Sequence, residues 1–180
     1  MGSPQALSEA DRRILAGWAA DCAERVLPLF EMEAPTEGTP RDAIARARAF
    51  GRGDLDAAGE IRRRFVAGRA AKVVTSPAAV AAARSAAQAS GVAHMGAHAL
   101  GAAAYAAKAV ALAHPDRPVE DEVRWQLEHA TPAVREALRR LPPLGEDPAG
   151  PLGPGLLASG VLGSIIRRIQ TALSQPGLGS

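Results

Sequence analysis

Residues 76–115 read SPAAVAAARSAAQASGVAHMGAHALGAAAYAAKAVALAHP. Ser76 followed by Pro77 is a helix start signal: a capping hydroxyl, then a proline at the first helical position, where its missing N–H costs nothing. From Ala78 to Ala113 there is no proline and no period-two alternation, and alanine, the strongest helix former, fills most positions. Gly91, Gly96 and Gly101 each cost roughly 1 kcal/mol relative to alanine inside a helix. Glycine and alanine together let another backbone approach closely. The segment therefore predicts a central helix or helix pair, with a break at Ser90 and Gly91.

Working outward, Ser8 and Asp11 open a first helix with a cap and an acidic first turn. Leu15, Trp18, Cys22, Val26 and Leu29 then recur at three- and four-residue spacing and give it one apolar face. Pro28 should kink or end this helix, because it lacks an amide hydrogen and crowds the carbonyl four residues earlier. EAPTEGTP (33–40) reads as a loop. Thr39 as cap, Pro40 and Asp42 start a second helix running to about Phe50. GRGD (51–54) reads as a turn whose Asp54 caps a third helix carrying Arg62, Arg63, Arg64, Arg69 and Lys72. Beyond the alanine-rich segment, HPDRP (114–118) is a stop, VEDEVRWQLEH (119–129) a helix, and Thr131 with Pro132 restarts a short one through Arg140. PPLGEDPAGPLGPG (142–155) is too rich in proline and glycine to be helical. After it, Leu162, Ile165, Ile166, Ile169 and Leu173 form the stripe of an amphipathic last helix.

No strand signal and no fixed-period repeat emerges. The expected fold is all-α, a compact bundle of about six to eight helices. Its organisation is a helical domain over residues 8–143, a linker over 144–155 forming a flexible strap, and a C-terminal amphipathic helix over 156–174. An apolar stripe left in water invites association, so the last helix is expected to fold back or to contribute to a homodimer.

Lys and Arg number 21 against 19 Asp and Glu, a net charge of +2. So small an excess gives little reason to expect a nucleic-acid partner. The single cysteine, Cys22, excludes an internal disulfide and a cysteine-rich zinc module. It points to a reducing, cytoplasmic setting. No signal-peptide pattern and no uninterrupted apolar run of membrane-spanning length occurs, so no membrane association is expected.

His94 and His98 lie four apart, the spacing that puts two rings on one helical face, where they could meet a divalent metal or an anion. The same pair also reads as hydrogen-bonded core histidines, the plainer reading, or as the lining of a polar ligand pocket. A metal site needs further ligands, drawn from His129, Glu31, Glu33 or Glu128, so a metal is left undetermined and no cofactor is implied. Glu31 and Arg41 flank the first loop. They are expected to pair at the mouth of any cleft lined by His94 and His98, with Asp21 as a second partner for the arginine. Trp18, Phe30, Phe50, Phe65, Tyr105 and Trp125 should anchor the core, with Trp18, Tyr105 and Trp125 also candidate ligand contacts. Cys22 sits mid-helix on an apolar face, an unreactive setting. The arginines at 62–64 with Arg69 read as a solvated basic face, or as a grip on an acidic partner or phosphates.

WAADCAERVLPLFE (18–31), TPRDAIARARAF (39–50), AHMGAHALGAAAYAAKAV (93–110), VRWQL (123–127) and RRLPP (139–143) together resemble blocks of the bacterial putative immunity protein family. The resemblance implies a compact helical fold and an antitoxin-like role. The chain departs from the family pattern in the third helix, where RRRFVAGRAAK (62–72) replaces an alanine- and histidine-bearing run. Two functions follow as alternatives. One is a non-enzymatic immunity or resistance protein that captures a toxin, peptide or small molecule, which the scarcity of convergent polar groups favours. The other is a metal-dependent or acid–base enzyme using His94 and His98 in a helical cleft.

Overall fold

The computed structural model describes residues 2–175, and every regular element among them is helical. The α-helices are α1 Glu9–Glu31, α2 Thr39–Arg52, α3 Ala57–Arg63, α4 Pro77–Gly91, α5 His98–Ala113, α6 Val119–Glu128, α7 Pro132–Arg139 and α8 Gly160–Ser174. Short 3₁₀ helices occupy Ala67–Lys72 and Leu156–Ala158.

Every residue of α5 from Ala99 to Ala107 is buried, as a helix apolar on all sides must be. α4 and α1 pack closely on it, α2 packs on α1 and α4, and α6 and α8 also lie against α5. Uniform alanine surfaces leave the rotation of one helix about another underdetermined. Buried polar groups supply what alanine does not. Ser85 Oγ donates to the Ala102 carbonyl at 2.7 Å, and Gln126 Nε2 donates to the Ala103 carbonyl at 3.0 Å. Trp18 Nε1 donates to the Gln126 carbonyl at 2.9 Å and ties α1 to α6.

The break falls where the sequence places it. α4 ends at Gly91, residues 92–97 turn a corner, and α5 begins at His98. The N-terminal segment holds that corner: Gly96 N–H donates to the Ala6 carbonyl at 3.0 Å, Ala97 N–H to the Gln5 carbonyl at 3.1 Å, and Arg12 Nε to the Ala93 carbonyl at 3.0 Å. The three glycines are needed for side chains rather than for a second backbone. A Cβ at Gly91 would stand 2.9 Å from the His98 ring, one at Gly96 2.7 Å from Leu7, and one at Gly101 would overlap the Gln88 amide.

Several local expectations are corrected. Pro28 does not end α1, which continues to Glu31. Pro28 and Glu24 are both exposed, so the Glu24 carbonyl that loses its helical partner faces water. Asp56, not Asp54, caps α3, accepting from Gly59 N–H at 2.6 Å, while Asp54 is engaged by Arg52. Gly38 precedes α2, and the Glu37 carboxylate accepts from Thr39 N–H in place of a threonine cap. The third helix stops at Arg63, so the basic run is divided between α3 and the 3₁₀ helix that follows.

The strap is pinned rather than loose. Gln5, fully buried, accepts from Leu152 N–H at 2.8 Å and donates to the Ala149 carbonyl, and Leu152 is itself buried. Leu162, Ile165, Ile166, Ile169 and Leu173 of α8 are all buried within the one chain, against α5, α6 and α7. The stripe from which a homodimer was expected is thus covered by the chain's own bundle and calls for no second copy. No helix among the described residues is long and apolar enough to cross a membrane.

Candidate functional site

α4, the corner after it and the first turns of α5 form one wall of an open groove of about 520 Å³, and the α3–3₁₀ segment and Leu156 form the other. Arg84, Gln88 and Gly91 come from one face of α4, because residues three and four apart on a helix are neighbours. His94, His98 and Tyr105 come from the corner and α5, and Arg64, Phe65 and Gly68 from the opposite wall.

The two imidazoles meet, although not along one helix. His94 lies in the corner and is exposed, His98 is the first residue of α5, and their ring centroids are 6.5 Å apart. His98 Nδ1 is 2.8 Å from Gln88 Oε1. With the amide oxygen accepting, Nδ1 carries the proton and Nε2 is left as an acceptor. Burial, with a smaller contribution from the neighbouring His94, pulls the His98 pKa down to about 4, so the ring is neutral at physiological pH. Among the described residues no group of three His, Cys, Asp or Glu side chains stands together as a metal would require.

Tyr105 is 4 % exposed, and its hydroxyl has no hydrogen-bond partner among the described residues. Burial raises its pKa, and the Arg84 guanidinium, which lines the same groove, opposes that rise. Arg84 itself is exposed and makes no ion pair among the described residues. Arg64 donates to the Ile61 carbonyl at 2.8 Å, and its guanidinium lies over the Phe65 ring, 4.4 Å from the centroid. No carboxylate lines the groove.

The other candidates lie elsewhere. Glu31 and Arg41 do pair, through two hydrogen bonds of 2.7 Å, but neither lines the groove. Asp21 is taken by Arg48 rather than Arg41. Glu33 caps the start of α4 through Thr75 and Ser76, and those hydrogen bonds hold its pKa at about 2. Trp18, 2 % exposed, is core. Trp125 stacks on His129 at 3.9 Å, with Arg25 4.1 Å from its ring on α6's side of the bundle. Cys22 is fully buried, and desolvation pushes its thiol pKa up, the opposite of what a nucleophile needs.

Sequence reading missed Arg84 and Gln88, gave Arg64 only as part of a basic face or a grip on an acidic partner or phosphates, and misassigned Phe65. Phe65 is no core anchor: it is 68 % exposed, at the groove's edge. Arg84 had a visible signal, being the only Lys, Arg, Asp or Glu between Pro77 and Tyr105.

A larger groove, of about 730 Å³, runs between α7, the strap and α8 and is lined by leucines. Its arginines are occupied by main-chain oxygens: Arg139 Nε donates to the Leu173 carbonyl at 2.8 Å and Arg167 Nη2 to that of Ala158 at 3.3 Å. In the histidine groove Arg84 makes no ion pair among the described residues.

Compared with known proteins, the sequence matches no curated protein and the fold no solved structure. The sequence model of one family, described as the Imm-5 like putative immunity protein, matches residues 5–133, which include α1 to α6 and every groove residue except Leu156. The chain belongs to this immunity protein family.

Proposed function

We propose that the chain is a non-enzymatic binding protein that neutralises a toxin by complexing it, with the histidine groove as the contact face. The observation that carries this reading is the set of groups gathered in the groove: Arg84 on α4 without an ion pair among the described residues, the Arg64–Phe65 stack in the turn after α3, and a tyrosine hydroxyl on α5 with no protein acceptor among them. Exposed arginine and aromatic side chains around a partly buried floor are the residue types that dominate binding energy at protein interfaces. Against the acid–base alternative stands the chemistry of His98. Its partner is the neutral amide of Gln88 and its pKa lies near 4, whereas a general base works best with a pKa near the operating pH.

The test is co-expression with toxin domains encoded beside this chain's gene, followed by size-exclusion chromatography of the purified pair. Growth rescue together with a stoichiometric complex is the expected outcome. Rescue without any complex, with the toxin chemically altered, would turn the argument towards an enzyme.

A further inference from the structure

We infer that the groove receives an acidic segment of the partner protein, a side-chain or terminal carboxylate next to an apolar residue, held between Arg84, Arg64 and the Tyr105 hydroxyl. The inference rests on the binding role proposed above and names what the groove would hold. Arg84 and Arg64 bring two positive charges to a groove without a carboxylate, and neither is neutralised by an ion pair among the described residues. Most other arginines of the chain are committed: Arg25, Arg41, Arg46 and Arg48 each hold a carboxylate, and Arg12 and Arg135 hold main-chain oxygens.

The second observation is Tyr105. It lines the same groove as Arg84, and its hydroxyl, which has no protein acceptor among the described residues, keeps solvent contact although the residue as a whole is 4 % exposed. That donor is open to the groove, where an anionic oxygen could take the place of water as its acceptor. Charge-assisted hydrogen bonds from an arginine and a tyrosine to one carboxylate are stronger than neutral ones.

The groove's edges decide for a peptide. Phe65, 68 % exposed, and Leu156, 65 % exposed, flank the cations. A hydrated phosphate backbone gains nothing from Leu156, whereas a peptide can set a carboxylate on the cations and an apolar neighbour on these two side chains. Arg64 stacked on Phe65 joins the two kinds of contact in one unit.

The experiment is isothermal titration calorimetry of the full chain with acetyl-Asp-Leu-Phe-Glu-Asp-amide and with its Asn/Gln counterpart. Saturable binding of the acidic peptide, at least about tenfold tighter than the neutral one, is expected, weakened about tenfold by Arg84→Gln and by Tyr105→Phe. Arg117→Gln, an exposed arginine outside the groove, should leave it unchanged. Thermal melts verify that the variants remain folded; Arg84 is exposed, so its variant stays informative if Tyr105→Phe loses stability. Equal binding of the two peptides, no binding of either, or indifference to Arg84→Gln overturns the inference. So does free glutamate binding as tightly as the peptide, which would mark a small-carboxylate site, or an oligothymidylate strand displacing it, which would mark a nucleic-acid surface. The wider reading fails separately: a toxin complex that survives Arg84→Gln with full affinity removes the groove and keeps the binding protein. Absence of any toxin complex removes the binding role and leaves the peptide result intact.

Discussion

Acidification should unfold this protein through His98, and the size of the effect follows from its environment. In the unfolded chain the imidazole has its ordinary pKa of 6.5; in the fold burial holds it near 4. Between these two values the unfolded state binds the proton and the folded state does not, so stability falls as pH falls through that window and is level above it. Lowering the pH from about 7.5 to about 5 should cost about 2 kcal/mol from this residue alone, rising to about 3 kcal/mol at pH near 4. Protonation would leave a cation beside His94 with no carboxylate in the groove to receive it. The comparison that isolates the effect is urea unfolding of wild type and His98→Gln across this range, since glutamine can still donate to Gln88 but cannot titrate. The difference in unfolding free energy between the two should shrink or reverse by about 2 kcal/mol towards pH 5. A difference that stays flat with pH, or an NMR titration of the His98 ring with a midpoint at its ordinary value, refutes the reasoning.

Gln5→Ala should cost about 1 to 3 kcal/mol, because the buried Leu152 N–H and the Ala149 carbonyl lose their partner; an unchanged urea midpoint would show that water replaces it. Arg25 Nε lies 2.9 and 3.0 Å from the two oxygens of the nearly buried Glu122. Arg25→Ala should destabilise by about 2 kcal/mol, less than for a fully buried pair because the arginine is part exposed, and adding Glu122→Gln should recover part of the loss. By light scattering at micromolar concentration the full chain is expected to be monomeric, while deletion of residues 150–180 uncovers the bundle under α8 and should cause association. A dimeric full chain would restore the homodimer.

Much of the fold was legible because it rests on local signals. Ser76–Pro77, Thr131–Pro132 and the proline-rich stop after Ala113 act within a few residues of themselves, and the elements they delimit are present. The misplacements have a common cause. Asp54 and Asp56 are equally good caps in isolation, and the choice between them is made by Arg52, whose side chain occupies Asp54. Pro28 is tolerated because its unpaired carbonyl faces solvent, which depends on how α1 is rotated in the bundle. Gln5 holds a loop some 144 residues away, a contact with no local signature at all.

The site divides along the same line. The spacing of His94 and His98 correctly brings two imidazoles together, yet for a different reason than helical periodicity: the chain turns at 92–97, and the glycine at 91 leaves room for the His98 ring to lie against α4. That turn also sets Gln88 on His98 and carries Tyr105 to the same groove as Arg84, pairings between residues 10 and 21 positions apart. A search for reactive types fixes on histidines and overlooks an arginine in an alanine helix. Yet in a stretch otherwise without a formal charge, a cation is the residue least explained by packing. Burying it would be costly, and pairing it would need a carboxylate, of which its groove has none. What remains is exposure at an edge where something else supplies the negative charge, and the bundle's remaining free surface around it, Phe65 and Leu156, is apolar. A lone charge in an uncharged helix is thus a pointer to a partner that can be read before any coordinates are known, once the helix it sits on is assigned to the core.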